Sequence, residues 1–313
     1  MNRSATTPAP HVPVMLERCL DALDPQPDTW LADGTFGAGG HTRALLARGA
    51  RVLAIDQDPH ASEHAEALQR DLRTAGVDEP AERFRFVCGN FADLSAHLET
   101  VGLRPRGSLH GVLLDLGVSS MQLDEGERGF AFRHEGPLDM RMTEAGPSAA
   151  DVVNEWSFED LAAALHRFGE ERHSRRLARA IVAERERQPI TTTERLVEVL
   201  LRAYPGRPGA GRRDHPARRT FQALRIVVND ELGALERGLA AAAEALAVDG
   251  RLVVLAYHSL EDRIVKRLLR DRADLEPLTK RPLEASPAEV AANPRARSAK
   301  LRGARKLAPE VGA

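Results

Sequence analysis

The residues best suited to chemistry lie in a glycine-rich stretch near the N-terminus. The segment LADGTFGAGGH, residues 31–41, places four glycines in eleven positions directly after the short apolar step Leu31-Ala32. A glycine-rich turn between a strand and a helix lets a ligand approach the backbone and meet the N–H groups at the helix N-terminus. The stretch therefore indicates a cofactor-binding turn, with a purely steric turn as the alternative.

Two classes of cofactor use such a turn. A dinucleotide fingerprint requires a third glycine in G-x-G-x-x-G, but the run GAGGHT ends in Thr42. The S-adenosylmethionine turn fits better, because Asp33 precedes the glycines and a second acid, Asp56, ends the apolar run RVLAID. A carboxylate at that second position can accept hydrogen bonds from both ribose hydroxyls. The pattern favours S-adenosylmethionine over a nicotinamide cofactor.

A parallel sheet has to position these residues, and the first part of the chain predicts one. Short apolar runs alternate with helical patterns, which is typical of an α/β fold. The predicted strands are TWLADGT, RVLAID, FRFVCGNF and HGVLLDLG, with HTRALLARG and PHASEHAEALQRDLRTAG as helices between them. The run Val112-Leu113-Leu114 suits a sheet that is buried on both faces. We expect a doubly wound, Rossmann-like α/β sheet.

The alternation stops after Val118. A polar, glycine-containing stretch, SSMQLDEGERGFAFRHEGPLDMRM, is followed by helical patterns such as FEDLAAALHRFG and ERLVEVLLRAY. Then RTFQALRIVVNDELGALERGLAAAAEALA predicts one long amphipathic helix, and GRLVVLAYHS predicts a fifth strand. We therefore expect a first sheet part at 1–123, a mainly helical insertion at 124–216 and a second sheet part at 217–313. The tail from about Pro277 is predicted to be a loop or an extended basic arm.

Composition excludes several classes of protein. With 313 residues of which 42% are hydrophobic, the chain can bury a large core and is not disordered. Apolar runs do not approach the roughly 18 residues that a membrane span needs, and MNRSATTPAPHVPV has no signal-peptide core. We expect a cytosolic location. Cys19 and Cys88 are too few for a disulfide framework and lack metal-ligand spacing, so both are expected to pack and no metal site is expected.

Positive charge is concentrated in a few segments, although the formal net charge is only -2. The arginine-rich segments are 167–187, 207–219 and 294–306. Local basic patches on a nearly neutral protein fit a polyanionic partner that is bound specifically. In the first of these segments glutamates interleave with the arginines, so a solvated helical face is an equal alternative there.

Motifs along most of the chain resemble one family. They are DGTFGAGGH, AIDQDP, LLDLGVSSMQLDEGERGFAFRHEGPLDMRM, GEER, ARAIV, RRTFQALRIVVNDEL, YHSLEDRIVKR and NPRARSAKLR. Together they resemble the ribosomal RNA small subunit methyltransferase H family, from His11 nearly to the C-terminus. The resemblance implies a class I methyltransferase sheet that is interrupted by a helical substrate-recognition domain.

The resemblance also implies an activity and its partners. Members of the family are cytoplasmic enzymes that use S-adenosylmethionine to methylate N4 of one cytosine in the decoding region of 16S rRNA. The implied partner is 16S rRNA within the small ribosomal subunit, and no membrane is involved. Oligomeric state cannot be predicted from these residues, and a homodimer stays an open alternative.

The family's cofactor contacts fall on seven positions of this sequence. They are Gly39, Gly40, His41, Asp56, Phe91, Asp115 and Gln122. The resemblance implies that Gly39 and Gly40 let the methionine part lie against the backbone, that Asp56 binds the ribose, and that Phe91 covers the adenine ring. From the residues alone, an ordinary core aromatic is the favoured reading of Phe91. His41 would contribute its backbone N–H as much as its imidazole, and a solvent-facing ring at the helix start is its alternative reading.

The implied reaction requires a hydrogen-bond acceptor for the target amine. The N4 lone pair of cytosine is delocalised into the ring, so the amine must be drawn toward tetrahedral geometry and aligned with the methyl group. Asp115 ends the fourth predicted strand at the sheet's carboxyl edge and is the candidate catalytic residue, with a purely cofactor-binding role as the alternative. Amino-methylating DNA enzymes place an Asp/Asn/Ser-Pro-Pro-aromatic motif there, whereas this chain reads DLGV. Phe130 and Phe132 are therefore the candidates for stacking on the base.

The motif YHSLEDR follows the fifth predicted strand. Its histidine, serine and acids suggest a hydrolase or a metal site, but no glycine elbow surrounds the serine and no second histidine lies at ligand spacing. We expect instead that Ser259 caps the helix EDRIVKRLL, that His258 faces the cleft and that Arg263 is available to an RNA backbone. His11 and Arg219 are weaker site candidates.

Two other classes of function are less consistent with the sequence. A nicotinamide-dependent dehydrogenase is disfavoured by the missing third glycine, and only hydride transfer with a bound dinucleotide would support it. A ribosome-assembly factor that binds RNA without catalysis is expected to have lost the cofactor motifs. Those motifs are intact here.

Overall fold

The chain forms two compact units. The computed structural model describes residues 13–77, 79–205 and 215–309. The first unit combines the N-terminal residues up to Gly117 with residues 234–313, and the second unit is Val118–Gly233. Within the described ranges no helix is both long and apolar enough to cross a membrane.

The first unit is built on a mixed sheet. Its strands are β1 (Trp30–Asp33), β2 (Arg51–Asp56), β3 (Phe84–Cys88), β4 (Leu109–Asp115), β5 (Leu246–Ala256), β6 (Leu275–Pro277), β7 (Leu283–Glu284) and β8 (Lys300–Lys306). Their order is β3-β2-β1-β4-β5-β8-β6, with β7 paired to β8 outside this path. Strands β1 to β5 are parallel, whereas β8 runs antiparallel to β5, β6 and β7.

Helices connect and cover these strands. Those of the first unit are α1 (Leu16–Leu23), α2 (Gly40–Ala47), α3 (Ala61–Thr74), α4 (Pro80–Arg83), α5 (Leu94–Thr100), α13 (Ser259–Asp271) and α14 (Pro287–Ala292). Those of the second unit are α6 (Ser120–Asp124), α7 (Ala149–Glu155), α8 (Phe158–Gly169), α9 (Ser174–Arg185), α10 (Thr193–Ala203) and α11 (Ala217–Val228). Helix α12 (Glu231–Ala245) begins at the boundary and leads back into the first unit.

The sheet is buried on both faces, as the apolar runs predicted. Successive residues of β4 lie in different apolar clusters, with Leu113 in one and Leu114 in the other. The same alternation holds in β2 for Val52 and Leu53. Side chains alternate across a strand, so these two clusters are the cores above and below the sheet. The prediction of a doubly wound α/β sheet is confirmed.

The second unit is mainly helical and has a core of its own. That core includes Leu138, Val153, Leu165, Leu177, Leu196 and Leu224. Helix α11 belongs to this unit because its buried side chains, Phe221 among them, join that core. The unit therefore runs from 118 to 233, whereas the sequence placed the insertion at 124–216.

The predicted single helix around residues 219–247 is wrong, because the chain breaks between α11 and α12. Asp230 lies in the left-handed region with φ of 46°. The side chain of Asn229 accepts from the Met142 N–H at 2.8 Å and donates to the Met140 carbonyl oxygen at 2.8 Å. These tertiary hydrogen bonds favour the break over a continued helix. A continuous apolar pattern carries no information about them.

The basic tail is a strand of the sheet, so the prediction of an extended arm is wrong. Strand β8 lies between β5 and β6. Its cations are paired with acids of other elements: Arg302 lies 2.7 Å from Asp262, and Lys306 lies 2.6 Å from Asp274. Pairing removes the repulsion that would otherwise disfavour packing a basic segment into a sheet. The tail's positive charge is largely neutralised within its own unit.

Candidate active site

Three acids end neighbouring parallel strands at one edge of the sheet. Asp33 is the last residue of β1, Asp56 of β2 and Asp115 of β4. Tyr257 follows the end of β5 at the same edge. Ligands of doubly wound sheets bind at the carboxyl ends of the strands. This edge of the first unit is therefore the candidate active site.

The turn after β1 has the backbone that the glycines predicted. Gly37 and Gly39 have φ of 54° and 78°, in the left-handed region that residues other than glycine rarely adopt. Gly39 is the N-cap of α2, and no side chain caps that helix. The first N–H groups of α2 are therefore available to an anionic group of a ligand. Asp33 holds the turn, since its buried carboxylate accepts from the Thr42 hydroxyl at 2.7 Å.

Gly40 has a packing role that the sequence did not reveal. A Cβ at Gly40 would lie 2.4 Å from Cγ of Pro13, so only glycine leaves room for that proline. The close approach predicted at this position is therefore made by the protein's own N-terminal segment. Whether the cofactor also contacts Gly40 stays a prediction.

Asp56 ties the ends of the first two strands together. One carboxylate oxygen accepts from the Gly37 N–H at 2.7 Å and the other from the Asp58 N–H at 2.9 Å. Burial raises the pKa of Asp56 to about 6, and these two hydrogen bonds oppose the rise. A carboxylate has about four acceptor sites, so two remain for a ribose diol. The geometry suits the predicted role.

The ring of His41 is buried rather than solvent-facing. Its Nε2 lies 3.2 Å from the Val14 carbonyl oxygen, and its Nδ1 lies 3.8 Å from Oδ2 of Asp115. Because a carbonyl oxygen only accepts, Nε2 carries the hydrogen in this hydrogen bond. In the neutral ring Nδ1 is then unprotonated and faces Asp115.

Asp115 is hydrogen-bonded to a tyrosine that the sequence analysis missed. The Tyr257 hydroxyl donates to Oδ1 of Asp115 at 2.6 Å, and the Asp115 N–H donates to the Thr35 hydroxyl oxygen at 2.7 Å. Burial raises the pKa of Asp115, while His41 and the Tyr257 hydrogen bond oppose the rise. Burial and the Asp115 charge also raise the pKa of Tyr257 well above its usual value, so the shared proton stays on the phenol. The available signal was an aromatic hydroxyl directly after the fifth strand.

The cap of α13 is His258, so the assignment of Ser259 as cap is wrong. Nδ1 of His258 accepts from the Glu261 N–H at 3.4 Å, and the Glu261 carboxylate accepts from the His258 and Tyr257 N–H groups at 3.2 and 2.8 Å. This reciprocal arrangement satisfies N–H groups at the helix start. A glutamate three residues after the histidine selects it over the adjacent serine. The same glutamate fixes the backbone of Tyr257.

Phe91 lies in a short 3₁₀ helix after β3, and its ring packs against α12. A Cβ at Gly238 would lie 2.3 Å from Cδ2 of Phe91, so this glycine makes room for the ring. The ring is half-buried among the apolar residues on that face of the sheet. Its predicted contact with adenine stays a prediction, and Gly238 is a supporting residue that the sequence did not indicate.

Three predicted site residues lie in the second unit, each with a local role. Gln122 forms a capping box with Ser119 at the start of α6, with hydrogen bonds of 3.0 and 3.2 Å. Phe130 is buried in the core of the unit, and Phe132 stacks on His215 with ring centroids 4.7 Å apart. The cofactor contact of Gln122 and base stacking by either phenylalanine stay predictions.

The remaining candidates have structural roles or lie outside the described residues. The Arg219 guanidinium donates to the Glu170 carbonyl oxygen at 2.9 Å. His11 and most of the segment 207–219 lie outside the described residues. Cys19 is buried as predicted, whereas Cys88 at the end of β3 is exposed, so its assignment as a packing residue is wrong. Cys88 is the last residue of β3, and too few apolar side chains surround the end of this strand to bury the thiol.

Comparison with known proteins identifies the family. The model of the MraW methylase family matches residues 8–307. The ribosomal RNA small subunit methyltransferase H of Deinococcus radiodurans is 52% identical over 301 residues, which cover 96% of this chain and 91% of that protein. The protein of the same name from Caulobacter vibrioides is 48% identical over 315 residues, which cover 95% of each.

Likeness to solved structures is much weaker. An rRNA methylase from Streptococcus thermophilus is similar with a TM-score of 0.37 at 12% identity, over 94% of each chain, which is too distant for any inference. The strand order of the first unit and the family match together confirm the predicted class I methyltransferase sheet. The chain belongs to the MraW methylase family.

Proposed function

We propose that this protein transfers a methyl group from S-adenosylmethionine to N4 of a cytosine in the decoding region of 16S rRNA. Its family is one of methylases, and relatives about half identical over nearly the whole chain are named for methylation of small-subunit ribosomal RNA. The observation that carries the proposal is the Asp115 carboxylate, which Tyr257 orients at the carboxyl edge of the sheet. The partner is 16S rRNA of the small ribosomal subunit, and the place of action is the cytosol.

The turn after β1 fits S-adenosylmethionine. The uncapped N–H groups at the start of α2 suit the carboxylate of its methionine part. Asp56 suits the ribose diol, and Phe91 suits the face of adenine. When bound, the cofactor would supply a methyl group on a sulfonium, and the neutral thioether released as the methyl C–S bond breaks is an excellent leaving group. The protein's task is therefore to activate and align the acceptor nitrogen.

Asp115 performs that task in the proposed mechanism. Tyr257 occupies Oδ1, and Oδ2 is left to accept a hydrogen bond from one N4–H of the cytosine. This hydrogen bond increases electron density on the nitrogen and turns its lone pair out of conjugation with the ring. As the N–C bond forms, the nitrogen becomes positively charged and must lose a proton. The raised pKa of Asp115 makes it a better proton acceptor than an exposed carboxylate.

His41 provides the next base along the proton's route. Its Nε2 is committed to the Val14 carbonyl oxygen, so Nδ1 of the neutral ring can accept a proton. That nitrogen lies 3.8 Å from Oδ2 of Asp115. This separation is longer than a hydrogen bond, so a proton taken from the amine passes to it, and restores the carboxylate, only when the two groups approach to about 3 Å or share one water.

The test is a substitution that keeps the shape of the side chain. Asp115→Asn retains one acceptor oxygen and removes the negative charge, so turnover is expected to fall by about 10²- to 10⁴-fold even with saturating cofactor. The measurement is single-turnover methylation of small-subunit particles. The exposed acid Asp71, changed to Asn, is the control and should react like the wild type.

Two results would contradict the proposal. Near-wild-type turnover in Asp115→Asn would leave that residue as a cofactor ligand only. Nucleoside mass spectrometry of the product gives an independent readout. If the methyl group were found on any atom other than N4 of cytidine, the proposed substrate would be wrong while the methylase assignment would stand.

A further inference from the structure

We propose that one exposed face of α9 binds the phosphate backbone of the RNA substrate. This α9 arginine face consists of Arg172, Arg175, Arg176 and Arg179. The proposal rests on the function proposed above, because it requires a polyanionic substrate. It identifies where in the second unit that substrate is held.

The four arginines share one side of the helix. Within α9, Arg175 and Arg176 lie four and three residues before Arg179 on the same side, and Arg172 lies in the turn before the helix. All four side chains are exposed. The opposite side of α9 is buried through Leu177, Ala178 and Ile181, which belong to the core of the second unit. The helix is therefore anchored on one side and presents these guanidinium groups to solvent.

Two of the four interleaved glutamates are turned away from this face. Glu171 is buried, and its carboxylate accepts from the His173 N–H at 2.7 Å. Glu184 is buried as well and forms ion pairs with Arg195 and Arg202 of α10. From the sequence, a solvated face of mixed charge was an equal alternative. The structure turns these two acids inward and the arginines outward, and the exposed Glu170 and Glu186 form no ion pair with these four arginines.

Two of the four guanidinium groups lie over an aromatic ring. Among the described residues no carboxylate forms an ion pair with any of the four arginines. Arg175 and Arg179 lie over the ring of Phe158, 5.0 and 5.8 Å from its centroid. Stacking orients a guanidinium plane while its N–H edges stay available, and it lowers the entropy lost on binding a phosphate.

Within the described residues, the basic tail offers no comparable face. The tail carries paired cations in β8, with Arg302 on Asp262 and Arg305 on Asp249 and Glu276. Most of the segment 207–219 lies outside the described residues. Among the three basic segments of the sequence, α9 is thus the described one whose positive charge remains available to a polyanion.

The experiment compares two matched pairs of substitutions in the full-length protein. Arg172→Gln with Arg176→Gln removes two charges from the α9 arginine face and spares the stacked arginines. Arg70→Gln with Arg73→Gln removes two exposed charges from α3 as the control. Binding to naked 16S rRNA and to small-subunit particles is measured over a series of salt concentrations. Cofactor affinity and melting temperature establish that each variant is folded.

The expected result is specific to α9. Each phosphate contact contributes roughly 0.7 to 0.9 to the slope of log K against log salt, so the α9 pair should lower the slope by about 1.5. Affinity for both RNA probes should fall about tenfold or more at low salt, KM for the particle should rise, and kcat should hold. The α3 pair should leave all of these unchanged. Arg175→Lys with Arg179→Lys keeps the charge and should lose less affinity than the glutamine pair.

Three outcomes would overturn the proposal. An unchanged slope in the α9 pair would mean that these arginines contact no phosphate. An equal loss in the α3 pair would mean that net charge alone is responsible. A loss for particles but not for naked rRNA would assign the face to a ribosomal protein. If the wild-type protein methylated no RNA, the function proposed above would fail, whereas the binding slopes would still test the face.

Discussion

A carboxylate with one oxygen fixed by a phenol presents its other oxygen in a single direction. Tyr257 and Asp115 form such a pair, with 2.6 Å between the hydroxyl and Oδ1. Tyr257→Phe keeps the ring and removes the donor, which costs a charge-assisted hydrogen bond of about 1.5 to 3 kcal/mol. We expect kcat to fall by about tenfold or more while KM for the RNA and cofactor affinity hold.

The pH profile distinguishes this positioning role from a structural one. The Tyr257 hydrogen bond lowers the pKa of Asp115, so its loss should raise that pKa further. The acid limb of the kcat profile, where Asp115 becomes protonated, should therefore move to higher pH in Tyr257→Phe. A lower kcat with an unmoved acid limb would show that the phenol contributes only packing.

Asp56 gives cofactor binding a pH dependence of its own. Its pKa is raised to about 6 by burial, so the ionised form that accepts from both ribose hydroxyls is lost as pH falls below that value. Affinity for S-adenosylmethionine, measured by calorimetry, should weaken between pH 7.5 and 5. In Asp56→Asn, affinity should be weaker at neutral pH and nearly independent of pH. An equal pH dependence in the variant would assign the titration to another group.

The effect of Asp56 on stability has the opposite sign. The folded state binds this proton more tightly than the unfolded state, whose carboxyl has the ordinary pKa of 3.8. The contribution of Asp56 to the free energy of unfolding is therefore greatest at low pH and is lost as pH rises through about 6. Binding improves over the same interval in which this contribution declines, which is common for buried functional carboxylates.

Residues at strand ends could be predicted, and their partners could not. Asp56 and Asp115 were identified because an acid after an apolar run marks the carboxyl edge of a sheet. Tyr257 lies 142 positions from Asp115, and no local pattern reports a contact over that distance. Gly238 was missed for the same reason, since its need for space arises from Phe91 on another element.

Strand β8 is a basic segment whose cations form ion pairs with acids of other elements. These pairs stabilise the fold, and they leave the strand with little charge for a polyanion. Arg302 bonds both oxygens of Asp262, and the two side chains are only 14% and 16% exposed. Arg302→Gln leaves a largely buried carboxylate without its main partner, which should cost about 2 to 3 kcal/mol of unfolding free energy. Denaturant unfolding measures this loss. The exposed Arg297, changed to Gln, should have little effect.

The same variants test whether the tail binds RNA. Arg302→Gln should leave the salt dependence of 16S rRNA binding unchanged, because the tail's strand cations already have protein partners. The exposed Arg297 has no such partner in the described residues, so Arg297→Gln tests separately whether the residues before β8 contact RNA. If Arg302→Gln lowered the slope of log K against log salt, the tail would contact RNA after all. Sequence reasoning predicted an arm there, since it saw charges and prolines but not the acids of α13 and β6 that pair with the strand.

Over the whole molecule, the sequence predicted an inserted helical segment because strands stop after β4 and resume at β5. The boundaries differ from those of the structure. Ser119 caps α6 and so belongs to the second unit, and α11 packs its apolar face into that unit's core. An amphipathic helix looks the same in sequence whichever core it covers. Only packing in the folded protein determines to which unit a helix belongs.

The effect of S-adenosylmethionine on thermal stability tests the proposed cofactor site in the first unit separately from the proposed RNA-binding face in the second. A ligand that binds only the folded protein stabilises it by about 2.7 kcal/mol at one hundred times its dissociation constant. For a chain of this size that corresponds to a rise in melting temperature of about 3 to 5 °C. Scanning calorimetry with and without S-adenosylmethionine should show this rise for the wild type. Asp56→Asn should show much less at the same cofactor concentration.

The α9 pair Arg172→Gln with Arg176→Gln should retain the full rise, because its residues belong to the second unit and the proposed cofactor turn belongs to the first. A full rise in Asp56→Asn would remove that carboxylate from the cofactor site. A diminished rise in the α9 pair would mean that those arginines act on cofactor binding rather than on the RNA backbone alone. A rise with S-adenosylmethionine but none with a nicotinamide dinucleotide would also exclude the dehydrogenase alternative directly.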